Sequence, residues 1–201
     1  MTEIRKATNS DIPELADTLA EAFDKDPVMQ WIIRQDKHRP EAMRDAFNYY
    51  LIDAIPYGEV TTTDDLKACA MWMPPGVWTE KPPLSEYLKM VIKTIQWSGL
   101  GRIRRFIEVD DLEYANKPPE PHYYLAILGV HPDFRGRKYG SMLLEHTLAR
   151  VDELEMPAYL ENSNIVNQPL YERHGFRVIG SFSAENGPTE WRMWRDPVNR
   201  E

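Results

Sequence analysis

Arg135, Gly136, Arg137, Lys138, Tyr139 and Gly140 bring three positive side chains and two glycines to a junction between two kinds of periodicity. Upstream, Tyr123 to Val130 is apolar, aromatic and β-branched enough for a strand, and Pro132 ends it by withholding a backbone donor. Downstream, Met142, Leu143, Leu148 and Val151 recur at helical spacing, with Ser141, Glu145 and His146 off that face. A loop that opens a helix offers orphan amides and the positive end of the helix dipole, so the junction is a place for an anion, and phosphate is the natural guest. No Gly-Lys-Ser/Thr closes the loop, and Gly-x-Gly-x-x-Gly is absent from it, which weakens both common nucleotide readings.

The run from Arg135 to Gly140 resembles the acyl-CoA loop of the GNAT acetyltransferase superfamily, Gln/Arg-x-x-Gly-x-Gly/Ala, with Lys138 where the family usually has Gly. A residue with a Cβ must then manage a backbone conformation or close approach that Gly permits. A second segment, Asn164 to Phe176, resembles the family's Asn, then Tyr seven residues on at Tyr171, then Gly175-Phe176. Within the superfamily the chain resembles the puromycin N-acetyltransferase branch, through Arg5-Lys6-Ala7-Thr8, Leu19 to Phe23, Leu128 to Leu144, Tyr159 to Ser163 and Gly187 to Met193. That likeness is thinnest between Trp78 and Pro121, so puromycin itself is not implied.

The resemblance implies a fold and a set of roles. The fold is α/β, an α+β mixed sheet: mostly antiparallel, splayed between two neighbouring parallel strands, with helices on both faces. Acetyl-CoA is the implied co-substrate, held by Leu128, Gly129, Val130, Arg135, Gly136, Arg137, Lys138, Tyr139, Gly140, Ser141, Asn164 and Tyr171. Leu128 to Val130 would pair with the pantetheine arm as an added strand, the Val130 N–H facing the thioester oxygen. Asn164 would hold the pantetheine amide or cap the short helix, and the residues leave both open. Tyr171 would donate a proton to the leaving thiolate. Glu161 would take the proton of the attacking amine or only bind its charge, with Glu108 and then His122 as further bases. The implied reaction is direct acetylation of the primary amine of a small molecule, such as an aminoacyl-nucleoside or another xenobiotic, with no acyl-enzyme. Two other readings stand beside it: a non-catalytic acyl-CoA-binding module, and acetylation of a protein or peptide.

Stepping along the chain, 201 residues suit one sizeable core, and the expectation is a single domain over residues 1–201 with a helical insertion at about 78–121. Helices are expected from Asp11, with Asp11 as cap and Glu14 completing a capping box, and over Pro40 to Ile55, with a turn or short helix at Val28 to Arg34. Strands are expected at Ile4 to Ala7, Glu59 to Thr63, Lys67 to Met73, Pro157 to Glu161, Phe176 to Phe182 and Glu190 to Trp194. The insertion carries Leu84, Tyr87, Leu88, Val91, Ile92 and Ile95 in one helical segment and Ile103, Phe106 and Ile107 in another, broken at Gly99-Leu100-Gly101.

A net charge of −8 argues against nucleic acid and anionic membranes as partners and suits a cationic substrate. Cys69 stands in an apolar run and reads as a buried thiol, with no internal disulfide possible. His38, His122, His131, His146 and His174 show no paired spacing, so no metal is expected. No apolar run reaches membrane-spanning length, and a cytoplasmic protein is the expectation. Trp31, Trp72, Trp78 and Trp97 could line an aromatic acceptor pocket, though core is the commoner place for them. Monomer and homodimer both remain open.

Overall fold

The computed structural model describes residues 2–77 and 84–198, with the backbone alone over 84–89. Expectations placed on Trp78, and on the side chains of Leu84, Tyr87 and Leu88, lie outside the described residues. A seven-stranded sheet runs in the order β1-β2-β3-β4-β5-β7-β6. Its strands are β1 (Ile4–Lys6), β2 (Val60–Thr63), β3 (Ala68–Met73), β4 (Tyr123–Val130), β5 (Ala158–Asn162), β6 (Arg177–Ser183) and β7 (Thr189–Arg195). Every pairing is antiparallel except β4 with β5.

Helices cover both faces. On one lie α1 (Ile12–Ala22), α2 (Pro27–Ile32), α3 (Arg39–Ala54), α4 (Leu84–Ser98) and α5 (Ile103–Asn116), and on the other α6 (Tyr139–Glu153) and α7 (Gln168–Arg173). Two apolar clusters follow from this layering. Leu15, Leu19, Phe47, Leu51, Met71 and Trp97 belong to the first, Trp72, Leu143, Leu144, Leu160 and Met193 to the second. β2 and β3 are buried on both sides because they lie between these layers. Cys69 is among them, fully buried, and its thiol is pushed up to about 12 by loss of solvent.

The start of α1 differs from the expectation. Asp11 stands at the N-cap position of α1, but its side chain makes no cap bond there; it closes the 3-10 turn one step earlier, accepting from the Thr8 N–H and hydroxyl, each at 2.8 Å. Arg5 also grips it bidentately, at 2.8 and 2.9 Å, and this partner holds the Asp11 carboxyl well below its usual range. The charge that would have faced the helix amides is thus committed to Arg5 and Thr8.

The parallel pair decides where a ligand can enter. β4 and β5 share register only at Tyr123 with Ala158 and Tyr124 with Tyr159, so the remaining six residues of β4 have no β5 partner. Between Met71 and Trp72 the β3–β4 register slips, leaving Ala126 as an extra residue on β4. Such a bulge bends its strand and increases the local twist, which turns the far half of β4 away from β5.

Candidate active site

The splay opens a cleft of about 520 Å³, lined by the ends of β4 and α1, the loop before α6, and the segment from Asn164 to Arg173. Backbone direction in β4 can be read from one bond. The His131 N–H donates to the Lys67 carbonyl of the β3 side at 2.9 Å. Because successive residues of a strand face alternate neighbours, Gly129 also faces β3, while Leu128 and Val130 turn their N–H and C=O groups into the gap. Gly129 contributes differently: a Cβ there would stand 2.5 Å from Leu19 Cδ2 and 3.1 Å from Phe23 Cε2, so its bareness lets α1 close onto β4.

At the mouth of α6 the chain folds through two positive φ angles, Gly136 at 79° and Lys138 at 66°. Lys138 occupies the left-handed region just before the helix, the conformation that the family's glycine would take freely. The first helical bond runs from Met142 N–H to the Lys138 carbonyl at 3.0 Å, and no hydrogen bond among the described residues reaches the amides of Tyr139, Gly140 or Ser141. Three open donors at the positive end of a 15-residue helix fit an anion.

Eleven of the twelve residues expected around a cofactor line this cleft; Arg137 instead stacks on the Phe134 ring, 4.6 Å from its centre. Arg135 lines the cleft but spends its guanidinium on the Ala22 carbonyl at 2.9 Å, tying the loop to the end of α1. Tyr139 is anchored to Asp65 at 2.8 Å. Asn164 caps the 3-10 turn before α7, accepting from the Val166 N–H at 3.1 Å, and also lines the cleft.

Tyr171 faces the cleft from α7 and is buried. Burial, and then the nearby Asp26 charge, raise its phenol above the ordinary range, so it keeps its proton. Its hydroxyl makes no hydrogen bond among the described residues. Asp26 was not expected at the site. It caps α2, accepting from Val28 and Met29 at 2.9 and 3.0 Å, and takes a further bond from the Ser163 hydroxyl. The dipeptide Asp26-Pro27 signalled only a helix boundary, and nothing local told of the cleft beside it.

Glu161 lies beyond the shared register of the parallel strands, its side chain on the sheet face covered by α5. Both carboxylate oxygens are buried without a hydrogen-bond partner. Burial raises its pKa; the Tyr124 and Tyr159 hydroxyls stand close enough to favour the ionised form, as does the Lys117 ammonium, yet neither phenol completes a hydrogen bond. Glu113 of α5 and Glu190 of β7 share the chamber. Burial and the Glu161 charge push Glu190 up to about 8, and burial with the Glu190 charge raises Glu113. Of the other proposed bases, Glu108 accepts from the Glu185 N–H at 2.5 Å and so fastens the β6–β7 hairpin. His122 packs against Tyr159 and Trp194, its charged form disfavoured by burial. Trp72 and Trp97 are core, and Trp31 lies half-buried under the Arg105 guanidinium at 3.9 Å.

A family model described as acetyltransferase (GNAT) domain matches residues 97–178, the stretch that holds α5, the β4–β5 splay, α6 and α7. Over that stretch the chain is similar to the GNAT acetyltransferases. An uncharacterised N-acetyltransferase of Schizosaccharomyces pombe is 28% identical over 182 residues, spanning 86% of this chain and 73% of that protein. A Corynebacterium glutamicum structure described as a histone acetyltransferase and related acetyltransferase is 25% identical, with TM-score 0.74 and coverage of 99% and 98%. The Drosophila melanogaster polyamine N-acetyltransferase, which forms N-acetylagmatine, shares the fold at 16% identity, TM-score 0.68, covering 98% and 100%. The fold shared with these structures is a mixed sheet with one parallel pair, β4 with β5, in this chain. Among the described residues no cluster fit to hold a metal ion occurs, and no helix is long and apolar enough to cross a membrane.

Proposed function

We propose that this protein is a GNAT enzyme and acetylates the primary amine of a small molecule, using acetyl-CoA, by direct attack and without an acyl-enzyme. The observation that supports this best is the splay itself, with open helix amides at one end and an unpartnered buried carboxylate behind the other. Acetyl-CoA supplies the acetyl group as a thioester. The Tyr139, Gly140 and Ser141 amides, with Lys138, would hold its phosphates, and the gap-facing groups of Leu128 and Val130 would align its arm. The Val130 N–H would stabilise negative charge on the carbonyl oxygen, a donor worth about 3 kcal/mol at comparable sites.

An alkylammonium of pKa about 10.4 must lose a proton before attack, at a penalty of roughly 4.6 kcal/mol at pH 7. Glu161 would accept that proton, since its unpartnered oxygens and raised pKa suit a base more than a structural ion. Tyr171 would hold a proton for the departing sulfur, its phenol being neutral and its hydroxyl unengaged. The chain would act as a single domain, with α4 and α5 as the insertion that covers the acceptor side.

The test is thiol release from acetyl-CoA across a panel of amines. Tyr171→Phe should lower turnover by about 10²-fold or more while the dissociation constant for acetyl-CoA stays within about threefold; unchanged turnover would remove Tyr171 as the acid. Tight acetyl-CoA binding with no thiol release from any amine or peptide would instead favour a binding module.

A further inference from the structure

The cleft has two walls of different make-up. On the α6 side it is lined by Leu128, Val130, Leu170 and Tyr171, which belong to the second apolar cluster or pack against it. At the end of α1 it is lined by Ala22, Phe23, Lys25 and Asp26, and of these only Phe23 brings a ring, packed on the first cluster. That ring lies against β4. A Cβ on Gly129 would stand 3.1 Å from Phe23 Cε2, between Leu128 and Val130, the two residues whose backbone opens into the gap. The Val130 nitrogen, one peptide bond on from Gly129, is then within about 7 Å of the ring edge.

Phe23 has little freedom to move away. Its N–H donates to the Leu19 carbonyl at 3.0 Å, and its own carbonyl accepts from the Asp26 N–H at 3.0 Å. Arg135 grips the neighbouring Ala22 carbonyl at 2.9 Å. The ring packs on Phe47, centres 5.3 Å apart, and Phe47 is fully buried behind it. Phe23 itself is only half-buried and faces the cleft. One side of the ring is thus fixed in a close-packed core, which yields little to an added group, and the other side borders the ligand space.

A thioester carbon directs its oxygen, sulfur and acyl chain three ways in one plane. With the oxygen toward the Val130 N–H in the sheet gap and the sulfur toward Tyr171 on the α6 side, the chain points to the α1 side, where Phe23 stands. This rests on the reading of the cleft as the acetyl-CoA site, with Val130 and Tyr171 in the roles proposed for them. We infer that Phe23 sets the acyl length: it leaves room for the methyl of an acetyl group and shuts out a four-carbon chain. Burial of apolar surface alone would favour the longer chain, by roughly fourfold in affinity for each methylene. A preference for the short chain therefore marks a wall.

Calorimetry with CoA, acetyl-CoA and butyryl-CoA reads this directly, CoA being the reference ligand for each variant. The parent protein should bind butyryl-CoA about tenfold or more weakly than acetyl-CoA. Phe23→Ala should reverse that order, and Phe23→Leu, which keeps more of the packing on Phe47, should narrow the difference. Equal or tighter binding of butyryl-CoA by the parent protein overturns the inference and leaves the acetyl-CoA reading standing. A preference for acetyl-CoA undiminished in both variants overturns the assignment to Phe23. A preference that the variants lose, with no thiol release from any amine, upholds the acyl wall and removes the catalytic reading. No binding of CoA by the parent protein overturns the cofactor reading and the acyl wall together.

Discussion

Lys138 holds a left-handed backbone that costs an L-residue roughly 1–2 kcal/mol, and it does so at the entrance to the anion cleft. Lys138→Gly should therefore raise the stability of the free protein by about 0.5–1 kcal/mol, seen as a higher melting midpoint. The further shift that acetyl-CoA produces should shrink, because an ammonium has left the phosphate site. A second prediction concerns Glu161, whose carboxyl titrates above the ordinary carboxylate range because it is buried. The base form then accumulates only as pH rises past that raised value, so kcat/KM should climb with pH. In Glu161→Gln that limb should vanish, with activity lower on the order of 10²-fold; a retained limb would assign the base elsewhere. The strain at residue 138 was legible from the loop alone, since a helix entrance is local. The duty of Arg135 was not, because the Ala22 carbonyl that captures it is distant in sequence.

At the scale of elements, β4 is the strand that turns a sheet into a site. Its burial alternates without a break from Tyr123 to Val130, yet Leu125 packs with the α6 cluster and Ile127 with the α1 cluster. The extra residue at Ala126 swaps the faces, so an unbroken alternation of burial conceals a bulge. Gly129→Ala should test how closely α1 must approach: a Cβ meeting Leu19 Cδ2 at 2.5 Å forces a shift. Destabilisation of about 1–3 kcal/mol is expected in urea titration, and no change would show that α1 adjusts freely. The capping box moved for a related reason. Thr8, Asp11 and Glu14 all have cap chemistry, and Arg5 on β1 selected Asp11 for the earlier turn.

Across the whole molecule, the acid chamber makes stability depend on pH. Glu190 keeps its proton to about 8 when folded and releases it near the ordinary Glu value of about 4.3 when unfolded. The folded state thus binds more protons between those values, and stability falls as pH rises through that window. The loss is on the order of a few kcal/mol. Glu190→Gln should flatten the slope and melt above the parent protein at pH 8; an unchanged slope would mean that Glu190 gives up its proton in the fold as readily as out of it. The sequence by itself determined what is contiguous: the strand, basic loop and helix around residue 138, the Asn164 to Phe176 segment with Tyr171, and the apolar periods of the helices. These depend on local backbone geometry and on a few neighbouring side chains. Only the tertiary structure decided how Glu113, Glu161 and Glu190 come to share one chamber, and how Asp26 comes to face Tyr171. Those residues lie on separate elements, and the register of β5 with β7 and the packing of α5 over them fix their meeting. No local signal carries either.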